Sequence, residues 1–494
     1  MATVAATSNN RIRNYFEEIT SYDLFQQLTY MSATAAAGIS RARTFQLARE
    51  LACPPARFFH NIHQVAENLR YNYPDAVRLI GETAKPDLVK TFLLRLSDAL
   101  RSGEPLPGFL QREASVMGEA YTNDYTRSLE SLKKWNDAYA AVTVSSALIV
   151  IINMVATMIY NIELSTMLLM VMIAVAASFG VAWVLLRASP PDQISVPLLL
   201  GSAAQRRARK LFFVLVPLAI MTALLLLALK MDKTYVLLAS AALLLPVGWT
   251  ARRADKETVR KDDEISSFLR SLGGTATSRG TTLTEALASI KIDSFPALEP
   301  DIHKLDLRLK AFGKPRLCWE RFGAETGSKL VQQVIGIFYE AINLGGDPER
   351  IGKLTSEYSM RTAMLRQQRR GVAATFSWLV IVMHTVMSGL MIFLLGILGQ
   401  FALKLTEAAK ELEEGGASAA ALGLGNMFNF NAPQVEFLGM LVIGMILILA
   451  VISAFAIVAS EGAHLIKITY YLAILLFAAG LCYMFIPNLV LMVM

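Results

Sequence analysis

The segment that decides the fold opens with ARRADKETVRKDDEISSFLRSLGG at Ala251–Gly274 and closes with SEYSMRTAMLRQQRRG at Ser356–Gly371. It is charged and polar, and long apolar runs flank it on both sides. A connection of that length between membrane segments is too long to lack structure of its own. Residues 251–371 are therefore expected to fold as a domain tethered to the membrane at each end.

Seven runs outside this segment have the length and apolarity to cross a bilayer. They lie at 139–162, 164–186, 211–230, 233–250, 372–400, 435–459 and 468–493. The fourth is short and contains Pro246. Little more than Asn161–Glu163 joins the first two runs, and Met231–Asp232 the next two, so each pair is expected to form a tight helical hairpin. The chain is 54% hydrophobic and 18% charged, which places it on the apolar side of soluble proteins. Cys53, Cys318 and Cys482 have spacings that indicate neither a zinc site nor a disulfide framework. The opening MATVAATSNNRIRNYFEEITSYD lacks the apolar core of a signal peptide, so the first domain is expected to stay in the cytoplasm.

Loop charge sets the expected orientation. Arg206–Lys210, Arg252–Arg253 and Arg366–Arg370 flank spans on one side. Glu163, Lys230–Lys233 and KLTEAAKELEEGG flank the other. The more basic side is cytoplasmic under the positive-inside rule. The expected fold class is all-α: a polytopic membrane protein with about seven transmembrane helices and two homologous cytoplasmic helical bundles. Its parts are a first cytoplasmic domain at 1–138, four membrane helices at 139–250, a second cytoplasmic domain at 251–371, and three membrane helices at 372–494 with an outside loop at 401–434. The C-terminus is expected outside. The net charge of +7 is read as positive-inside loops, because no nucleic-acid module is present.

The first domain reads as helical throughout. In Tyr22–Gly38, Leu24, Phe25, Leu28, Met31 and Ala35 form one apolar face, and Gly38 closes the helix. When the chain is slid by 242 positions, Gly38 falls on Gly280, Gly81 on Gly323 and Gly103 on Gly345. Their contexts agree: AAAGISRARTFQLA faces ATSRGTTLTEALAS, IGETAK faces FGAETG, and LRSGEPL faces NLGGDPE. The two domains therefore read as copies of one bundle of about six helices, with these six glycines at its turns. Ser40 and Thr282 are placed to cap the next helix, and Asp347–Pro348 reads as a cap followed by proline in the first turn.

With these residues in view, the chain resembles the inner-membrane platform proteins of type IV pilus-like machines, the type II secretion F family. Within that family it is most similar to archaellum and archaeal pilus platforms. The resemblance is carried by LTYMSATAAAGISRARTFQLA, LLRLSDALRSGEPLPGFLQREA, SLESLKKWNDAYAAVTVSSALIVIINMVATMIYNI, FLRSLGGTATSRGTTLTEALASI and FYEAINLGGDPERIGKLTSEY. It covers nearly the whole chain, and the order and pairing of the domains carry it. One departure is GAETGSK, where the acid Glu325 is displaced by one position from the usual glycine–glutamate pattern.

The resemblance implies a non-enzymatic scaffold in the plasma membrane. It would dock a hexameric cytoplasmic secretion ATPase, act on pilin or archaellin-like subunits, and form a homodimer in membrane lipid. Arg41, Arg43, Glu104, Arg279 and Lys291, near the repeat-defined turns, are the candidate ATPase contacts. The polar helix running through Arg366–Arg370 into the fifth span is a candidate mechanical rod, with Gly371 as its hinge.

Other chemistry is weakly represented. Gly323–Lys329 is one residue too short between its glycines for a phosphate-binding loop and reads as a helix–helix turn. His60 and His63 share a helix face, but no acid or cysteine partner is evident. No HExxH or GxSxG pattern appears, so no catalytic, metal or cofactor residue is assigned. The spans hold Asn153, Ser178, Thr222, His384 and Ser388 but essentially no interior charge. His384 with Ser388 is the one feature a secondary transporter, the alternative reading, would build on. Hydrogen bonding between helices is the plainer account of the pair.

Overall fold

The computed structural model describes residues 19–159, 164–190, 201–229, 231–311, 313–414 and 432–493. The start of the first domain, the Asn161–Glu163 link and residues 415–431 of the 401–434 loop lie outside the described residues. Among those described, every regular element is helical. The helices are α1 (Ser21–Ala35), α2 (Arg41–Glu50), α3 (Ala56–Asn68), α4 (Tyr73–Thr83), α5 (Asp87–Arg101), α6 (Leu106–Ile159), α7 (Leu164–Ala188) and α8 (Ala203–Ala228). They continue as α9 (Lys233–Arg279), α10 (Leu283–Ser289), α11 (Glu299–Lys310), α12 (Pro315–Glu325), α13 (Lys329–Asn343), α14 (Pro348–Glu414), α15 (Ala432–Glu461) and α16 (Ile468–Val493).

Seven of these helices, α6, α7, α8, α9, α14, α15 and α16, are long and apolar enough to cross a membrane. The chain is an all-α, multi-pass membrane protein. The domain borders expected at 138, 250 and 371 all fall inside single helices: α6, α9 and α14. Hydropathy marks the edge of a bilayer, whereas a helix ends where glycine, proline or a cap ends it. No glycine or proline lies between Glu119 and Ile159, between Trp249 and Leu272, or between Lys353 and Arg370. Pro246 lies within α9 without ending it. The charged start of the expected outside loop likewise continues α14 as far as Glu414.

Two compact units divide the chain. The first takes the described residues of Met1–Arg127 with Lys256–Gln367. The second takes Ser128–Gln193, Ala203–Asp255 and Gln368–Met494.

In the first unit the 242-residue offset reappears in the helices. Pairs α2 and α10, α4 and α12, α5 and α13, and α6 and α14 each start 242 positions apart, and α4/α12 and α5/α13 also end so. Gly38 and Gly280 have φ of +76° and +60°, and Gly103 and Gly345 have +76° and +97°. These are left-handed turns that strongly favour glycine. Ser40 and Thr282 each cap the following helix, accepting from the backbone N–H of Arg43 and Glu285.

Gly81 and Gly323 differ from the turns expected of them. Both are helical residues, in α4 and α12. A Cβ on Gly81 would sit 3.1 Å from Leu93 Cβ, and one on Gly323 would sit 3.0 Å from Gln332 Cα. They are the points where α4 meets α5 and α12 meets α13. The turn after α12 is made by Gly327, at φ +79°, and Ser328 caps α13.

Each half of this unit has its own aromatic core. Phe45, Phe59 and Phe92 pack in the first, with ring centroids 6.1 and 6.5 Å apart. Phe268, Phe322 and Trp319 pack in the second, at 6.1 and 6.0 Å. The halves meet at α1, α6 and α14. There Tyr22, Phe25, Tyr121 and Tyr358 stack, and Tyr22 donates to Gln333 on α13 over 2.8 Å.

The second unit is built around α15, which packs against α7 and α16. About two-thirds (67%) of its apolar window is buried, against 6% for α8. Small and hydroxyl residues make the close contacts, since bilayer helices gain little from apolar burial alone. Ser178 donates to Ser146 at 3.0 Å, Tyr139 and Ser453 lie 3.0 Å apart, and a Cβ on Gly396 would be 3.0 Å from Val490.

Candidate functional site

The five candidate contact residues sit at the ends of the repeated helices. Arg41 and Arg43 open α2, both exposed, and Arg43 Nη1 donates to Gln46 Oε1 at 2.7 Å. Arg279 closes α9, and its Nη1 donates to Ser289 Oγ at 2.8 Å across the length of α10. Lys291 is exposed just beyond α10. Glu104 lies between α5 and α6 and is bridged to Arg112. The two arginines on α2 and the Arg279/Lys291 pair thus flank the equivalent helices of the two halves.

A set of buried charges joins the second half internally, and sequence reasoning missed it. Lys261 Nζ pairs with Asp301 at 2.6 Å and donates to the Thr326 carbonyl at 3.3 Å. Asp262 accepts from the Ser328 hydroxyl and from Arg366 Nη1, the latter at 3.0 Å. The Asp262 and Arg366 side chains are each 2% exposed. This network ties α9, α11, the α12–α13 turn and α14 together. A readable signal existed. Thr258, Lys261, Asp262 and Ile265 continue at helical spacing the buried face formed by Phe268, Leu269 and Leu272. The displaced acid Glu325 faces Arg308, whose Nη2 is 2.8 Å from both carboxylate oxygens.

Between the halves, Tyr30 of α1 and Glu340 of α13 face each other closely enough to influence one another's titration. Burial pushes the Glu340 carboxyl above the usual carboxylate range, and Tyr30 and Arg316 oppose the shift. Burial, then Glu340, likewise raises the Tyr30 hydroxyl. On α3 and α4, His63 Nδ1 lies 3.4 Å from the Tyr73 hydroxyl. Among the described residues no group of three or more His, Cys, Asp or Glu is placed to hold a metal ion.

In the second unit, polar residues collect at one end of the helices. Arg369, 2% exposed, donates to the carbonyls of Ala459, Ser460 and Pro190, and to the Ser189 hydroxyl. A cation there satisfies carbonyls left open at the C-terminal ends of α7 and α15. Lys467 binds Asp255 at 2.8 Å and Glu461 at 2.7 Å, and Tyr471 donates to Glu461. Asn136 Nδ2 donates to Ser460 Oγ at 3.3 Å. Of the expected basic flank Arg366–Arg370, Arg366 and Arg369 are buried partners and not solvated loop charges. Gly371 is a regular helical residue, and a Cβ there would meet nothing within 4 Å. His384 and Ser388 are buried, at 4% and 2% exposure.

Residues 28–154 match the family model described as type II secretion system (T2SS), protein F. The chain is 25% identical over 426 residues to the flagella accessory protein J of Methanocaldococcus jannaschii, covering 83% of this chain and 73% of that protein. It is 24% identical over 289 residues to the flagella accessory protein J of Methanococcus voltae, covering 56% of this chain and 52% of that one. No solved structure matches.

Proposed function

From this likeness to the type II secretion F proteins and to the flagella accessory proteins J, we propose that the chain is the non-enzymatic membrane platform of a type IV pilus-like machine of the archaellum class. A hexameric secretion ATPase docks on the first unit from the cytoplasm, and pilin or archaellin-like subunits are handled at the membrane. The N-terminus is cytoplasmic, the C-terminus is outside, and the working form is a homodimer. The observation that carries this reading is the pair of matching helix sets, each continued by a helix, α6 or α14, that runs on into an apolar span. A motor that pushes or twists either set acts directly on a membrane helix. Pull-down of the cognate secretion ATPase by the full chain in detergent tests this, and absence of binding argues against docking.

A second reading, a secondary transporter, has one observation in its favour. Buried His384 has no hydrogen-bond partner for Nε2 among the described residues. Uptake into proteoliposomes that is lost in His384→Ala would favour it over the platform.

A further inference from the structure

The second unit carries a cationic rim at the level where its helices leave the apolar layer. Two polar sets define that level. Arg369 ties the end of α7, at Ser189 and Pro190, to the end of α15 at Ser460. Lys467 ties Asp255 of α9 to Glu461 of α15, and the turn Leu465–Lys467 packs on α8. Arg187, Arg206, Arg207, Arg209, Lys210 and Arg252 stand around this level, on three different helices. The stretch AAQRRARK at Ala203–Lys210 contains no acid. Asp255 and Glu461 share the single cation Lys467 and so leave one net negative charge, which the six cations of the rim outweigh.

Three of the arginines lie over aromatic faces. Arg187 is 5.6 Å from the Trp183 ring, Arg209 is 5.8 Å from Phe213 and Arg252 is 4.7 Å from Tyr470. A guanidinium meets phosphate oxygens two at a time through its edge N–H groups; Arg252 commits Nη1 to the Tyr470 hydroxyl and keeps its other N–H groups for such contacts. Trp183 and Trp249 are 47% and 58% exposed, each within a turn or so of a rim cation. Exposed tryptophan beside cations at the end of an apolar span is the arrangement found at the headgroup layer of a bilayer.

We propose that this rim selects anionic phospholipid headgroups, gathering acidic lipid around the platform. Charge complementarity points to a phosphate ligand, and continuity with exposed lipid-facing surface points to a phosphate carried by a lipid. The proposal concerns the second unit alone and does not depend on ATPase docking or filament assembly.

The full chain is reconstituted in phosphatidylcholine vesicles containing phosphatidylglycerol, with one lipid or the other brominated, and tryptophan quenching is read. Brominated phosphatidylglycerol is expected to quench more than brominated phosphatidylcholine at equal bulk fraction. In the R206Q/R207Q/R209Q/K210Q variant that preference falls, by up to roughly fivefold in local enrichment for each charge removed. For the unsubstituted chain, the preference is expected to fall between about 0.15 M and about 1 M salt, which decides the matter even if the variant fails to insert. Equal quenching by the two lipids overturns the proposal and leaves the rim as an orientation signal only. Loss of the preference in inorganic phosphate, at an ionic strength matched with sodium chloride that preserves it, overturns it in favour of a free-phosphate site.

Discussion

Arg366 Nη1 donates to Asp262 Oδ2 across 3.0 Å, in an interior where neither side chain is more than 2% exposed. The pair joins α14 to α9 within the first unit. A buried ion pair is costly to break from one side, because the remaining charge is left without its partner. Arg366→Met and Asp262→Leu are each expected to destabilise the first unit by about 3–5 kcal/mol. The double variant is expected to lose much less than the sum of the two. Thermal unfolding of the four proteins of the cycle measures this, and additive losses would show that the pair does not act as one.

Glu340 makes stability depend on pH. Its folded-state pKa is raised by burial, so the stabilisation is full below the ordinary carboxylate value of about 4.3 and is lost as pH rises through the raised value. The groups around it are Tyr30, Arg316, Glu50 and Arg43. Glu340→Gln is expected to raise the Tm of the purified chain more at pH 8 than at pH 5. An equal change at both values would show that the carboxylate is not titrating against burial.

Gly462 lies over the Arg369 guanidinium at φ +70°. A Cβ there meets the guanidinium carbon, and the backbone angle by itself costs an L-residue about 1–2 kcal/mol. Gly462→Ala is expected to destabilise the second unit by more than the backbone term alone. In an Arg369→Ala background the added loss should shrink toward that term. Unfolding in detergent of the single and double variants separates the two contributions.

Gly371 distinguishes a rod from a hinge. Gly371→Ala has room and a helical backbone, and is expected to stabilise α14 by about 0.5–1 kcal/mol. Gly371→Pro breaks a helix interior at about 3 kcal/mol or more. If α14 transmits motion as a rod, filaments assemble in the alanine variant and fail in the proline variant. Failure of the alanine variant alone would assign Gly371 to a hinge.

Arg279 and Lys291 are the pair to reverse when mapping the motor contact. The double change to glutamate is expected to weaken ATPase binding and reduce its salt sensitivity. Affinity unchanged from the native chain would remove both from the interface, whatever the other end-of-helix residues do.

How much of the candidate site was legible depends on the type of signal. The four left-handed glycines stood in the sequence at one offset, because a turn of that hand strongly favours glycine, and the hydroxyl two residues after Gly38 and Gly280 marked the cap of the next helix. Gly81 and Gly323 obeyed the same offset for another reason, the close approach of the next helix, which no local pattern separates from a turn. Lys261, Asp262 and Arg366 resembled solvated charges because charge is usually exposed. Their burial appears only when each helix face is followed through its charged segment.

Sequence alone determined that the chain is helical and multi-pass, because apolar run length and periodicity are local properties of the chain. It also held the recurrence of turn glycines 242 positions apart, which the left-handed glycines and the helix starts of the first unit repeat. Tertiary structure decided where the helices end and which charges are inside. Helix ends depend on breakers and caps, not on the membrane edge that hydropathy marks. Burial of a charge depends on a partner distant in sequence, as Arg366 has in Asp262, and no window along the chain contains both.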